Sequence, residues 1–131
     1  MPVKYSSSSV IRWPDRATVD AAVRAYAGSE AAARPGLLRL GYFGSYARGD
    51  WGPGSDLDLV AVLDSSSAPF ERRALDWDLN ALPVPADLLV YTLAEWQTLM
   101  RRGGRFARTV SAETVWVFDR EGRAPADRPS S

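Results

Sequence analysis

The chain has no cysteine and no histidine among its 131 residues. The first absence excludes disulfides and thiolate metal sites. The second removes imidazole ligands, imidazole general bases and any Ser-His-Asp arrangement. Any metal must therefore be held by oxygen, which points to Mg²⁺, Mn²⁺ or Ca²⁺. Net charge is lacking as well: sixteen basic residues balance sixteen acidic ones, so nothing draws the chain toward nucleic acid or anionic membranes at long range. No apolar run approaches the ~18 residues that suggest a membrane span, and the opening MPVKYSSSSV has no apolar secretion-signal core. The reading is a soluble, cytoplasmic chain whose length suits one core.

What is present reads as one α/β (α+β) unit over residues 10–119, with a flexible lead-in at 1–9 and a disordered, Pro-, Arg- and Ser-rich tail at 120–131. Pro14-Asp15 opens a helix, and Val19, Ala22, Val23, Tyr26 and Ala27 recur at its spacing until Pro35-Gly36. LLRLGYF (37–43) and LDLVAVL (57–63) read as strands, the second apolar enough to be covered on both faces. Pro69 starts a helix with Phe70, Ala74 and Trp77 on one face. VPADLLVYT (84–92) is a third strand, and Thr92-Leu93-Ala94-Glu95 is a capping box for the next helix, which closes at Gly103-Gly104. RFARTVS suggests a short helix and TVWVFD (114–119) a last strand. This order predicts a small mixed sheet flanked by helices.

The chemistry gathers in GYFGSYARGDWGPGSDLDLVAVL (41–63). Asp56 and Asp58 stand one residue apart at the mouth of the second strand. Residues i and i+2 of a strand point to one side, about 6.6 Å apart, so these carboxylates project together and repel unless a cation lies between them. A solvated strand end with Asp56 in a turn is the structural alternative. Gly44-Ser45, at a strand-to-helix junction, offers backbone N–H groups and a hydroxyl to an anion, or is an ordinary turn. Asp87 is the only charged residue in its strand and completes an oxygen site if that strand lies beside the second. Asp76 and Asp78 diverge by about 200° on a helix and read as solvated. Arg48 faces phosphates or pairs with Asp50 or Asp56. Trp51 touches a base or acceptor, or folds back onto the surface. RRGGR (101–105) suits a helix C-terminus better than a phosphate or nucleic-acid site.

GSYARGDWGPGSDLDL (44–59) resembles the Gly-Ser-x-Ala-Arg-Gly-x5-Ser-Asp-x-Asp-Leu pattern of the minimal nucleotidyltransferases, members of the DNA polymerase β-like superfamily. The matching positions are Gly44, Ser45, Ala47, Arg48, Gly49, Ser55, Asp56, Asp58 and Leu59. The resemblance implies a nucleotidyltransferase fold and transfer of a nucleoside monophosphate, AMP from ATP in the simplest case, to a hydroxyl acceptor. It implies that Gly44 and Ser45 grip the β- and γ-phosphates, with Arg48 and Ser55 beside them. It implies that Asp56 and Asp58 hold two Mg²⁺ ions, and that Asp87 binds the second and helps deprotonate the acceptor.

Members of this size act as antitoxins beside a helical HEPN toxin, some by adenylylating it on tyrosine, so the resemblance implies that partner too. Two rivals stand beside this reading. One is an antitoxin of the same fold that masks its partner without catalysis. The other is an enzyme for a small hydroxyl compound such as an aminoglycoside.

Overall fold

The computed structural model describes residues 13–122. Its order is α1 (Arg16–Ala33), β1 (Leu37–Phe43), α2 (Ser45–Arg48), β2 (Leu57–Leu63), α3 (Phe70–Arg73), β3 (Ala86–Thr92), α4 (Leu93–Arg102), α5 (Arg105–Glu113) and β4 (Val115–Asp119). The strands form one four-stranded sheet in the order β3-β2-β1-β4. β1 runs antiparallel to both β2 and β4, whereas β2 and β3 are parallel. Parallel neighbours need a crossover, and residues 64–85 supply it through α3 and two 3₁₀ turns. This is the mixed sheet with flanking helices expected from the sequence.

The apolar run of β2 divides cleanly between two layers. Leu57, Leu59 and Ala61 pack with Val19, Val23, Tyr26 and Ala27 of α1. Val60 and Val62 join Trp96 of α4 and Val110 of α5 on the other face. Edge-on aromatic contacts secure that second layer: Trp96 meets Trp116 at 5.7 Å between ring centroids, and Phe43 meets Phe106 at 5.8 Å. At the β1–β4 bulge the backbones approach closely at Gly41. A Cβ there would lie 2.7 Å from the Val115 carbonyl oxygen, so only glycine fits.

Asp15 caps α1 by accepting from the Thr18 amide, and Thr92 with Glu95 forms the anticipated capping box of α4. The helix expected after Pro69 is shorter than its periodicity suggests. It breaks into a 3₁₀ turn at Ala74–Asp76, and Trp77 is extended. Phe70, Ala74 and Trp77 therefore do not share a helical face. Phe70 is exposed, while Trp77 enters the α1 core beside Tyr26. Asp76 and Asp78 are exposed, and Asp78 accepts from the Asn80 amide.

At the break stands Arg73, a buried arginine. Its guanidinium donates to the Ala68 and Val90 carbonyls and forks onto Glu95, with Nη1 at 2.6 Å and Nη2 at 3.0 Å. The Arg73 fork, with help from the Thr92 amide, holds the Glu95 carboxyl down at about 2. A depressed carboxyl stabilises the fold fully above its ordinary value of 4.5 and loses that contribution as pH falls toward 2. Glu95→Gln is accordingly expected to melt lower than wild type at neutral pH, with the gap closing between about pH 4.5 and 2. Thermal melts across that range check this. A gap that is constant with pH would contradict it.

Residue 120, placed beyond the folded unit by the sequence reading, is held to it. Arg120 donates to the Leu37, Ala31 and Arg34 carbonyls and sutures the end of α1 to β1. The expectations for residues 1–12 and for 123–131 lie outside the described residues. No described helix is long and apolar enough to cross a membrane.

Candidate active site

The parallel pairing of β2 with β3 sets Asp58 directly beside Asp87, in a register that runs from Leu57–Ala86 to Leu63–Thr92. Paired residues of adjacent strands share a face, and the strands lie about 4.8 Å apart. Asp56 precedes β2 by one residue and has the same parity as Asp58. All three carboxylates thus belong to the end of the sheet where β2 and β3 begin, on the α4–α5 side. Asp56 and Asp87 are exposed and Asp58 is half-buried, so the cluster opens to solvent. Burial first, then the charges of Asp87 and Asp56, push the Asp58 carboxyl above its ordinary value, with Arg48 pulling the other way.

The glycine turn reaches the same place from β1. Gly44 adopts φ 82° and ψ −150°, a conformation that side chains resist, as N-cap of α2. A Cβ on Gly44 would run into Asp58 Oδ2, so the absence of a side chain is what lets this turn and the carboxylate lie together. Ser45 is the first residue of α2 and half-buried. Gly49 closes that single turn with its own positive φ of 89°.

The remaining sequence candidates have definite places. Arg48 pairs with Asp50 at 3.0 Å, as the structural alternative anticipated, and also with Glu113 at 3.3 Å. Ser55 closes the preceding turn: its Oγ accepts from the Gly52 amide at 2.8 Å. Trp51 stacks on Tyr46 at 5.7 Å with planes only 6° apart, and the Tyr46 hydroxyl accepts from Trp13 Nε1. It folds back as a wall of the loop. Glu113 was not singled out from the sequence. It is the last residue of α5, where the helix dipole disfavours an acid, and that misplacement is the one signal it carries.

The family model for the nucleotidyltransferase domain matches residues 30–117, a span that holds every one of these carboxylates and the glycine turn. The chain belongs to the nucleotidyltransferase domain family. Its fold is also that of a proposed nucleotidyltransferase from Sulfolobus solfataricus, with a TM-score of 0.60 and 19% identity over 89% of this chain and 93% of that one. No curated protein matches the chain. In this nucleotidyltransferase domain, Asp56, Asp58 and Asp87 are the residues whose oxygens could hold a cation, since hard divalent ions prefer oxygen donors. Among the described residues no three acidic side chains already stand as a metal cage. The mutual repulsion at Asp58 is the feature with which a divalent cation fits.

Proposed function

We propose that this nucleotidyltransferase moves AMP from Mg²⁺·ATP to a hydroxyl group, and that the acceptor is a tyrosine of a helical HEPN-type partner, which it thereby neutralises. The observation that carries the reading is the in-register pair Asp58–Asp87, with Asp56 beside it and the Gly44 turn against it. A protein that only masked its partner would have no use for three crowded carboxylates, which lower stability without a cation.

In this reading Gly44 and Ser45 donate to the β- and γ-phosphates, and Arg48 adds positive charge alongside. Asp56, Asp58 and Asp87 would hold two Mg²⁺ ions, which supply neutralisation of the triphosphate and of the carboxylates themselves. The acceptor oxygen attacks the α-phosphorus, the α–β bridging P–O bond breaks, and pyrophosphate leaves. Asp87 accepts the acceptor proton, since with no histidine in the chain a carboxylate is the available base.

The test uses the purified chain, an HEPN-type partner, Mg²⁺ and ATP labelled at the α-phosphate. Label is expected on a partner tyrosine, lost in Asp56→Asn while partner binding survives. Neutralisation that is undiminished in Asp56→Asn would instead support masking, and label on a small hydroxyl compound without any partner would support the small-molecule alternative.

A further inference from the structure

Glu113 occupies a place that the reaction needs. Its Oε1 accepts from the Gly44 amide at 3.2 Å and from Arg48 Nη1 at 3.3 Å. One carboxylate oxygen therefore bridges the two donors that the reading above assigns to the triphosphate. Gly44 is buried and the Glu113 side chain is only 23% exposed, so the contact with the Gly44 amide is part-buried, whereas the Arg48 partner is exposed to solvent. The two distances lie at and just past the end of the usual N–H···O range. Nothing in α5 favours an acid here, because the C-terminal end of a helix repels negative charge. Its partners are instead the N-cap and the last residue of α2.

We propose that Glu113 is a further residue of the nucleotide site. Its carboxylate stands in for a phosphate oxygen at Gly44 and Arg48, and the incoming triphosphate must displace it. Glu113 is then a positioning residue that acts through Gly44 and Arg48. It keeps the donors aligned while the site is free of nucleotide and sets the affinity for ligands that carry a polyphosphate. Like charge ensures that it leaves the site when the triphosphate enters. This inference rests on the nucleotide reading of the Gly44 turn.

The experiment compares wild type with Glu113→Gln by calorimetric titration of ATP with Mg²⁺, of inorganic tripolyphosphate and of adenosine. Glutamine keeps an acceptor oxygen for Gly44 but removes the charge. Affinity for ATP and tripolyphosphate is expected to tighten roughly three- to tenfold. Affinity for adenosine should not change. In an Arg48→Ala background the gain should be smaller, because one of the two donors that Glu113 occupies is gone while its contact with Gly44 and its charge remain.

In wild type, tripolyphosphate should also move the Gly44 amide and the Glu113 carboxyl carbon resonances together, a readout that needs no variant to fold. Wild type that binds ATP while Glu113→Gln binds it equally or more weakly would overturn the proposal and leave the nucleotide reading standing. Movement of the Gly44 resonance alone would overturn it in the same way. Failure of both proteins to bind ATP or tripolyphosphate at millimolar concentration would overturn the nucleotide reading and this inference with it.

Discussion

Asp58→Asn is expected to lower nucleotidyl transfer by about a thousandfold or more while making the protein harder to melt. The two effects share one cause. Asp58 is half-buried between the charges of Asp87 and Asp56, and its ionised form is disfavoured there. Asparagine preserves the shape and one acceptor oxygen but removes the repulsion, which should raise stability by about 0.5–1 kcal/mol at neutral pH and low salt. The same change deletes the half-buried member of the oxygen donor set. Gain of stability with loss of activity is the pattern of a functional carboxylate, since a structural one would lose both. Adding Mg²⁺ with ATP should raise the Tm of wild type and leave that of the variant unmoved. Parallel melts and transfer assays check this, and a variant that is less stable yet active would contradict it.

Gly44→Ala is expected to be strongly damaging to both stability and activity. The positive φ of 82° already strains any L side chain, and the added Cβ would collide with the Asp58 carboxylate. Strain and collision together should cost about 2–4 kcal/mol and abolish transfer. Gly49→Ala is the control. Its φ is 89°, but a Cβ there meets nothing within 4 Å, so only the conformational cost of about 1 kcal/mol applies. The difference between the two variants, read from denaturant unfolding, isolates the collision. Removing the carboxylate in Gly44→Ala/Asp58→Ala should recover most of that difference. Equal losses at Gly44 and Gly49 would mean that the turn and Asp58 are not in contact.

These predictions involve residues that the sequence made legible because local rules place them. The bounds of β1 and β2 follow from apolar runs closed by Gly36 and by the glycine turn. The capping box at Thr92 and Glu95 marks the start of α4 without any tertiary knowledge. The parity of Asp56 and Asp58 follows from strand geometry alone. The union of Asp58 with Asp87 depends on β3 pairing beside β2, which no local signal states and which the resemblance implied.

What local rules missed was tertiary. The helix after Pro69 ends at Arg73, which turns inward to the Val90 carbonyl and Glu95, and an arginine reads as surface in any periodicity count. Trp51 was ambiguous because its stack on Tyr46 forms only where α2 and its Gly49 cap turn the chain back on itself. Glu113 was invisible because its contact with Gly44 spans 69 residues of chain and is made by the last side chain of a helix whose extent RFARTVS understated.

The claim beneath all of this is that Asp56, Asp58 and Asp87 take up a divalent cation together with a nucleoside triphosphate. Electron paramagnetic resonance of Mn²⁺, titrated into the protein with and without ATP, tests it with no acceptor required. Wild type should bind Mn²⁺ weakly alone and markedly more tightly with ATP, and both Asp58→Asn and Asp87→Asn should lose the ATP-dependent signal. An identical ATP-dependent signal in wild type and in both variants, or none in wild type, would contradict it.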